Sequence, residues 1–336
     1  CARVCHHPCE SVCRAGATGG EPIAIRSLKR FVVDTVVPEA ETAVIVPRAD
    51  AARIAVVGAG PAGMAAAGDL SRMGHEVTVF ERETQAGGML MAAIPEYRLP
   101  REGLKREIAR LLNPNIEMRY GQALGRDFTL DRLFADGYKA VFVATGAHGS
   151  KKLDLPGEEA AGIVPGVRFL KAYNLEGKAM ARGRVGVIGG GNSAMDAARV
   201  AVRQPGVESV TVFYRRTRES MPAYAEEIAA GLEEGVVLET LVTPVAVERE
   251  EGRLSGLRLL RNGLGAPDAS GRQKPVPIEG SEFGVPLDTL IVAISEEPET
   301  EGLEGLGFSS WGTVEAHPET WATGRDGVFA GGDVVT

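Results

Sequence analysis

The chain has 336 residues, which is long enough for two domains and a sizeable buried core. Apolar residues make up 44% and charged residues 24%, as in an ordinary soluble globular protein. The net charge of −8 argues against a nucleic-acid partner, and no apolar run approaches the roughly 20 residues of a membrane span. Nothing at the start resembles a signal peptide.

All four cysteines lie near the start of the chain, four positions apart, at Cys1, Cys5, Cys9 and Cys13. Structural thiols would scatter through a core, and nucleotide-binding domains indicate a reducing cytoplasm in which disulfides are disfavoured. The cluster therefore predicts a metal site, and four sulfurs suit either zinc or an iron–sulfur cluster. Pro8 interrupts a helix, so we expect a loop around the metal. His6 and His7 are weaker candidates, because adjacent side chains rarely face one ion.

Residues 14–50 connect this segment to the rest of the chain. Ile25–Asp34 has helical apolar spacing, and Val44–Pro47 reads as extended. The chain starts inside the cysteine motif and ends at Thr336 without a closing helix. We therefore expect it to be a piece of a longer polypeptide.

The first nucleotide-binding fingerprint is Ile54–Gly63, an apolar strand that runs directly into G-x-G-x-x-G. In such a motif the first glycine permits the tight turn, the second lets the backbone approach a pyrophosphate, and the third allows close packing of helix on strand. The pyrophosphate then lies at the helix N-terminus. The predicted contacts are Gly58, Gly60, Pro61, Ala62 and Gly63.

The second fingerprint is Val185–Ala194, in which alanine takes the third position. Its predicted contacts are Gly189, Gly191, Asn192, Ser193 and Ala194. Each fingerprint has a strand before it, an alanine-rich helical stretch after it and a second strand at the expected distance, and this context favours binding sites over simple turns.

The two second strands differ at their ends, where V-T-V-F-E-R-E at 77–83 aligns with V-T-V-F-Y-R-R at 210–216. Glu81, followed by Arg82, predicts a carboxylate that hydrogen-bonds a ribose diol. Tyr214 replaces it in the second unit, and Arg215 and Arg216 suit a 2′-phosphate. The first site is therefore predicted to bind FAD and the second NADPH, with NADH as an alternative.

Further elements follow the same reasoning. We expect a helix over 101–113, a buried strand at Ala140–Gly146, a helix over Pro222–Glu234, strands over Val236–Glu248 and a loop or hairpin over Asn262–Gly280. The buried strand Leu287–Ile294 is expected to return the chain to the first sheet, and Val328–Asp333 to close it.

The fold class is thus α/β, with two Rossmann-like domains, one inserted in the other. We expect a cysteine-rich metal-binding segment over 1–50, an FAD domain over 51–150, an NAD(P)H domain over 151–284 and the rest of the FAD domain over 285–336.

These motifs together resemble the small-subunit family of glutamate synthase and the NADPH-oxidising half of dihydropyrimidine dehydrogenase. The resemblance covers essentially the whole chain and rests on Arg3–Cys13, both fingerprints and four further motifs: Ile94–Pro100, Ala144–Gly146, Pro267–Arg272 and Gly332–Asp333. It implies 4Fe–4S clusters, with Cys5, Cys9 and Cys13 as ligands. Cys1 matches a position that does not ligate in the family, where an upstream segment supplies the fourth ligand.

The resemblance also implies site residues outside the fingerprints. It places Asp333, after Gly332, at the ribityl and phosphate region of FAD, and Arg98 near the flavin. Thr145 and Gly146 belong to one of its motifs. Gly88, Met89 and Leu90 are expected near the isoalloxazine ring, although core packing explains Met89 and Leu90 equally well. For Arg98 the alternative is a surface ion pair.

One segment departs from the family. In the family this segment lies near the nicotinamide nucleotide, and here it contains Ile294, Ser295 and Glu296. The family usually has glycine in place of Ser295 and glutamine in place of Glu296. A side chain and a carboxylate there are expected to hinder an anionic cofactor.

The expected activity is hydride transfer from NADPH to FAD, followed by electron transfer through 4Fe–4S clusters to a partner subunit or fused domain. The cofactors carry that chemistry, so no catalytic side chain is assigned. One alternative is a free-standing NAD(P)H-dependent disulfide or small-molecule reductase. It is weakened because no cysteine follows Cys13, so no thiol pair is available near the flavin. The other is a non-catalytic scaffold that holds FAD.

Overall fold

A computed structural model describes residues 2–36, 48–268 and 271–335. Two five-stranded parallel sheets organise these residues, and the fingerprint strand lies inside each sheet rather than at its edge. The α/β class with two Rossmann-like units is thereby confirmed. No helix in these ranges is long and apolar enough to cross a membrane.

The helices are α1 Pro8–Ser11, α2 Arg14–Ala17, α3 Ile25–Thr35, α4 Pro61–Arg72, α5 Met89–Ala92, α6 Arg101–Leu111, α7 Leu130–Ala135, α8 Gly166–Glu176, α9 Asn192–Val202 and α10 Ala225–Glu233, with a 3₁₀ turn at Arg218–Ser220. The strands are β1 Arg53–Val57, β2 Glu76–Glu81, β3 Ile116–Tyr120, β4 Ala140–Val143, β5 Gly149–Ser150, β6 Ile163–Pro165, β7 Gly183–Ile188, β8 Val207–Tyr214, β9 Val237–Thr240, β10 Val242–Glu250, β11 Arg253–Pro267, β12 Gln273–Pro277, β13 Phe283–Pro286, β14 Thr289–Val292, β15 Glu296–Glu297 and β16 Val328–Ala330.

The first sheet has the strand order β16-β4-β1-β2-β3, and the second β6-β14-β7-β8-β9. Val57 lies opposite Phe80 in the first sheet, and Ile188 lies opposite Phe213 in the second. Glu81 and Tyr214 therefore occupy equivalent positions, one residue beyond these pairs, as the sequence alignment predicted.

Each sheet is covered by helices whose apolar faces explain their positions. In the first unit Met64 of α4 packs with Val56 and Val79. In the second unit Phe169 of α8 and Met195 of α9 belong to one cluster of buried residues. Strands that are buried on both faces read as continuous apolar runs, which is why both sheets were recognisable in the sequence.

One strand joins a different sheet from the expected one. The predicted strand Leu287–Ile294 is present as β14, but it pairs with β6 and β7 of the second sheet, so its assignment to the first sheet was wrong. All four of its residues are buried, and a buried apolar strand fits the interior of either sheet equally well. The return to the first sheet is made by β16, which pairs with β4.

A smaller antiparallel sheet of β10, β11, β12 and β13 extends from the second unit. Together with β9 of the second sheet it confirms the strands expected over Val236–Glu248, and it shows that Asn262–Gly280 contains a hairpin of β11 and β12.

The N-terminal segment is more helical than expected. Pro8 occupies the first turn of α1, where its missing N–H costs no hydrogen bond, so it starts a helix instead of preventing one. The helix expected over Ile25–Asp34 is confirmed as α3. Cys1 and the extended segment expected at Val44–Pro47 lie outside the described residues.

Candidate nucleotide-binding sites

A cavity of about 800 Å³ lies at the carboxyl end of the first sheet. This is the edge at which parallel α/β sheets bind ligands, and the volume suits a large one. The structure brings most of the residues predicted for the first nucleotide together in its wall, namely Gly58, Gly60, Pro61, Ala62, Glu81, Arg82, Gly88, Met89, Leu90, Thr145, Gly146, Gly332 and Asp333.

At two positions of the first fingerprint, packing within the protein requires glycine. Gly58 has φ +104°, and a Cβ there would lie 2.4 Å from the carbonyl oxygen of Ala144. Gly63 is buried beneath the cavity, and its Cβ would lie 1.9 Å from the carbonyl oxygen of Gly58. A side chain at Gly58 would require the turn to move away from Ala144, and a side chain at Gly63 would require α4 to move away from β1 and the turn that follows it.

The middle glycine has no such requirement. Gly60 has φ −74°, and the nearest atom to a Cβ would be the Cα of Gly88, at 3.8 Å. Gly60 precedes α4, which receives no side-chain cap, so the first backbone N–H groups of the helix remain available to a ligand. Space beside uncapped N–H groups fits the pyrophosphate of a dinucleotide.

Glu81 is nearly buried at the end of β2. Its Oε2 accepts the backbone N–H of Ala59 at 2.7 Å, and its Oε1 accepts the N–H of Glu83 at 2.9 Å. An ionised carboxylate has about four acceptor positions, so Glu81 can hold the fingerprint turn and still accept ribose hydroxyls from the cavity.

Two buried polar atoms in the cavity wall have no hydrogen-bond partner within the described part of the chain: Thr145 Oγ1 and His148 Nδ1. Burial lowers the pKa of His148 to about 4, so its ring is neutral at physiological pH. Unpartnered polar atoms are rare in native interiors and here indicate a polar ligand. Sequence reasoning missed His148, although it stands two residues after the predicted turn at Gly146.

The second fingerprint repeats this arrangement. Gly189 has φ +147°, and a Cβ there would lie 2.2 Å from the carbonyl oxygen of Ala293. Gly191 has φ −89°, and no atom would lie within 4 Å of its Cβ. Ala194 is completely buried, Ser193 lies in the first turn of α9, and Asn192 Oδ1 accepts the backbone N–H of Tyr224 at 3.1 Å. The middle glycine again leaves room in front of a helix N-terminus.

The end of β8 differs from the end of β2 in both shape and charge. The ring of Tyr214 covers Gly190, whose Cβ would lie 2.3 Å from the ring, and the hydroxyl donates to the carbonyl of Ser220 at 2.9 Å. Arg215 is exposed, and its guanidinium has no ion pair with any described residue. Arg216 is buried and pairs with Asp268 at 2.7 Å. The two predicted phosphate ligands therefore have different environments.

The segment that departs from the family lies beside this second fingerprint. Ala293 donates its N–H to the carbonyl of Ile188 at 2.8 Å, and Ile294 and Ser295 follow at the surface. The carbonyl of Ser295 accepts the N–H of Lys151, and Glu296 pairs with Ser150 through β15 and β5. The backbone of this segment is thus fixed next to the turn at Gly189.

Arg98 is not in the cavity wall, and it is not a surface ion pair either. Its guanidinium is 9% exposed and contacts Asp196 Oδ2 at 2.5 Å and Glu227 Oε1 at 2.9 Å. Burial raises the pKa of Asp196 to about 6, and the charge of Arg98 opposes that rise. Arg98 therefore joins the segment before α6 to helices α9 and α10 of the second unit.

The three described cysteine side chains differ in their exposure. Cys5 and Cys13 are half-buried and Cys9 is exposed, and within residues 2–36, 48–268 and 271–335 no three His, Cys, Asp or Glu side chains form a metal-binding group. Cys5 Sγ accepts the N–H of His7 at 3.4 Å, and the N–H of Ile23 lowers the pKa of Cys13. The iron–sulfur site stays a prediction.

Comparison with known proteins places this geometry in a family. Residues 52–336 match the family described as pyridine nucleotide-disulphide oxidoreductase. Over 99% of its length the chain is 42% identical to the NADP(+)-dependent formate dehydrogenase subunit beta of Moorella thermoacetica, and it spans about half of that protein (50%). It is 34% identical, over its whole length and 84% of the relative, to a Cereibacter sphaeroides protein provisionally named as a glutamate synthase small chain.

The fold is also that of a solved structure. FprA of Mycobacterium tuberculosis in complex with NADPH superposes with a TM-score of 0.72 at 19% identity, covering 85% of this chain and 79% of FprA. At that identity the likeness supports the fold alone. With its matched sequence and paired fingerprints, the chain belongs to the pyridine nucleotide-disulphide oxidoreductase family, together with the glutamate synthase small chain that its motifs resemble.

Proposed function

We propose that this chain oxidises NADPH with FAD and delivers the electrons to a partner subunit or fused domain. The observation that carries the proposal is the contrast between two otherwise equivalent sites. Glu81, which accepts N–H groups beside the large cavity, suits the unphosphorylated ribose of FAD, whereas Tyr214 and the exposed cation of Arg215 suit the 2′-phosphate of NADPH.

The residues of the chain bind and orient the two nucleotides. The N-terminus of α4 and Gly60 would receive the FAD pyrophosphate, and the N-terminus of α9 and Gly191 that of NADPH. Thr145 and His148 would donate or accept hydrogen bonds with FAD from the cavity wall. When bound, FAD supplies the chemistry by accepting a hydride from the nicotinamide.

Arg98 supports this proposal from outside the cavity. Its buried contacts with Asp196 and Glu227 hold α9, which begins at the second fingerprint, against the segment that leads into α6. Hydride transfer requires that the two rings be held in register, and an error of about 1 Å costs roughly 100-fold in rate. Arg98 is thus a positioning residue in this proposal.

We further propose that Cys5, Cys9 and Cys13 ligate a 4Fe–4S cluster in the complete protein. Their four-residue spacing supports this, as does the absence of disulfides among the described cysteines. Iron and acid-labile sulfide should be measured in the anaerobically purified complete protein and in its Cys5→Ser, Cys9→Ser, Cys13→Ser variant. Less bound iron and sulfide in the variant than in wild type would support the cluster, and equal amounts in both would contradict it.

An electron-accepting partner is proposed from the relatives. The Moorella protein is named as a subunit, and the present chain spans half of it. Among the described residues the face of α3 leaves several large apolar side chains exposed, including Leu28, Phe31 and Val32. Exposed apolar surface of this kind is typical of a face that packs against another subunit or domain.

The proposal is tested by recording the absorption spectrum of the purified chain under anaerobic conditions during titration with NADPH, and separately with NADH. Bleaching of the flavin band at a much lower concentration of NADPH supports both site assignments. An equal response to NADH would remove the role of Arg215 in reading a 2′-phosphate. A flavin that neither donor bleaches would favour the scaffold alternative, and a chain without flavin would contradict the proposal.

A further inference from the structure

We propose that Arg215 alone binds the 2′-phosphate of NADPH, and that Arg216 acts on selectivity by neutralising Asp268. This inference rests on the proposed NADPH site and divides two neighbouring arginines that the sequence treats as equivalent. It makes Asp268, a residue 52 positions further along the chain, part of the machinery that selects the nucleotide.

The location of the pair follows from the sheet. Tyr214 ends β8 at the position that Glu81 occupies at the end of β2, beside the fingerprint turn. In dinucleotide-binding folds the adenosine ribose lies at this strand end. Arg215 and Arg216 follow immediately, so whatever charge they carry is felt by the 2′ position of the nucleotide.

The donors of Arg216 are already used by the protein. Nη2 contacts Asp268 Oδ2 at 2.7 Å, and Nε donates to the carbonyl of Gln273 at 2.9 Å. The side chain of Arg216 is 7% exposed. Asp268 and Gln273 stand on either side of the turn between β11 and β12, so Arg216 fastens this hairpin to the end of β8. A guanidinium held in this way is not free to enclose a phosphate.

Arg215 has the opposite environment. Its side chain is exposed and without an ion pair among the described residues, while its carbonyl accepts the side-chain N–H of Asn262 at 2.9 Å. The backbone is therefore fixed and the guanidinium is available. A planar guanidinium gives two parallel hydrogen bonds to a phosphate, which makes Arg215 the phosphate ligand.

Asp268 gives Arg216 its part in selectivity. A carboxylate beside a 2′-phosphate repels it, because both groups are negatively charged. Arg216 cancels this repulsion as long as the pair is intact. Loss of Arg216 alone should therefore weaken NADPH selectivity, and simultaneous loss of the Asp268 charge should restore it.

The experiment measures binding of 2′,5′-ADP and 5′-AMP to the chain by calorimetry, so that neither flavin reduction nor turnover is needed. The variants are Arg215→Gln, Arg216→Gln and Arg216→Gln/Asp268→Asn. We expect Arg215→Gln to weaken 2′,5′-ADP binding by about 10- to 100-fold, as loss of a charge-assisted contact does, and to leave 5′-AMP unchanged.

For Arg216→Gln we expect roughly tenfold weaker binding of 2′,5′-ADP, and for the double variant a return to within about threefold of wild type, because the buried pair is removed as a unit. If the double variant stays as weak as Arg216→Gln, Arg216 contacts the phosphate directly and the inference is overturned. The double variant also decides the question if Arg216→Gln alone does not fold.

A matched control is available in the same unit. Arg184 and Asp288 form an arginine–aspartate pair of the same chemistry but greater exposure, with Nε to Oδ2 at 2.8 Å, near the amino end of β7 and away from the fingerprint turn. Arg184→Gln and Arg184→Gln/Asp288→Asn should leave both ligands bound as in wild type. If wild type binds 2′,5′-ADP no better than 5′-AMP, the second site does not select a 2′-phosphate, and the proposed NADPH site is wrong. If wild type does prefer 2′,5′-ADP, the variants test the separate roles of Arg215 and Arg216.

Discussion

The guanidinium of Arg98 contacts the carboxylate of Asp196 at 2.5 Å, and this buried pair connects the segment before α6 with a helix of the second nucleotide-binding unit. Glu227 at the start of α10 contacts the same guanidinium. Burying three charges is expensive, and the arrangement is favourable only while each charge has its partner. Arg98 is therefore one of the side chains that hold the two units together, beside Lys171, which pairs with Glu83 across the same boundary.

The first prediction concerns this arginine. Arg98→Met leaves the buried carboxylate of Asp196 without the cation that contacts it, while Glu227 keeps its contact with Arg199. Breaking a buried pair in this way costs about 3–5 kcal/mol. We expect a clear decrease in the thermal midpoint and in the free energy of unfolding measured with urea.

The exposed pair of Arg48 and Asp50, at 2.8 Å, provides the control for this measurement. Arg48→Met should leave the midpoint nearly unchanged, because surface pairs are well solvated and screened. Equal midpoints for Arg98→Met and Arg48→Met would contradict the role of Arg98 in joining the units.

The second prediction concerns pH and His148. Its pKa is about 4 in the folded chain, below its ordinary value of 6.5, because burial disfavours the charged ring. Between these two values the unfolded chain binds a proton that the folded chain does not, so stability is lost as pH falls from 6.5 towards 4. The shift corresponds to at most roughly 3 kcal/mol.

His148→Gln should therefore flatten the dependence of the unfolding free energy on pH within this window, and leave the difference between pH 7 and pH 8 unaltered. Urea denaturation at intervals of half a pH unit measures the effect. The exposed His317 serves as the comparison, and His317→Gln should retain the slope of wild type. Parallel curves for wild type and His148→Gln would show that the buried ring does not contribute.

The third prediction separates two glycines by their surroundings. A Cβ at Gly63 would lie 1.9 Å from the carbonyl oxygen of Gly58, so Gly63→Ala must push α4 away from β1. Overpacking of this kind costs about 1–3 kcal/mol, and the displaced helix N-terminus should lower the flavin content of the purified chain.

Gly103 lies inside α6 with no atom within 4 Å of its Cβ. Gly103→Ala should accordingly stabilise the chain by up to about 1 kcal/mol, through helix propensity, with the flavin content unchanged. If Gly63→Ala and Gly103→Ala change stability and flavin content alike, close packing of α4 on β1 does not exclude a side chain at Gly63.

Features encoded by adjacent residues could be predicted from the sequence. The fingerprints, their strands and the alignment of Glu81 with Tyr214 depend on short-range spacing, and the structure has the same register. Helices α3 and α6 were expected within one or two residues of their observed ends for the same reason.

Features that depend on distant partners could not be predicted. Arg98 and Asp196 are 98 positions apart, and Arg216 and Asp268 are 52 apart, so no local pattern indicates either pair. The buried strand β14 was recognised but assigned to the wrong sheet, because its four buried residues, three of them apolar, fit both interiors. His148 was missed because its unusual feature, burial without a partner for Nδ1, appears only when the cavity is formed.

The assignment of FAD to the first fingerprint and NADPH to the second is best tested by comparing Gly60→Ala with Gly191→Ala. Both glycines precede their helices with similar backbone angles, φ −74° and −89°, and neither Cβ would have a protein atom closer than 3.8 Å. Each added methyl group should therefore be tolerated by the protein and obstruct only the pyrophosphate that approaches there.

We expect Gly60→Ala to lower the flavin content per chain and to leave the affinity for 2′,5′-ADP intact. We expect Gly191→Ala to weaken NADPH binding and to leave the flavin in place. Loss of flavin in Gly191→Ala with flavin retained in Gly60→Ala, or no effect of either substitution on either nucleotide, would contradict the assignment of FAD to the first fingerprint and NADPH to the second.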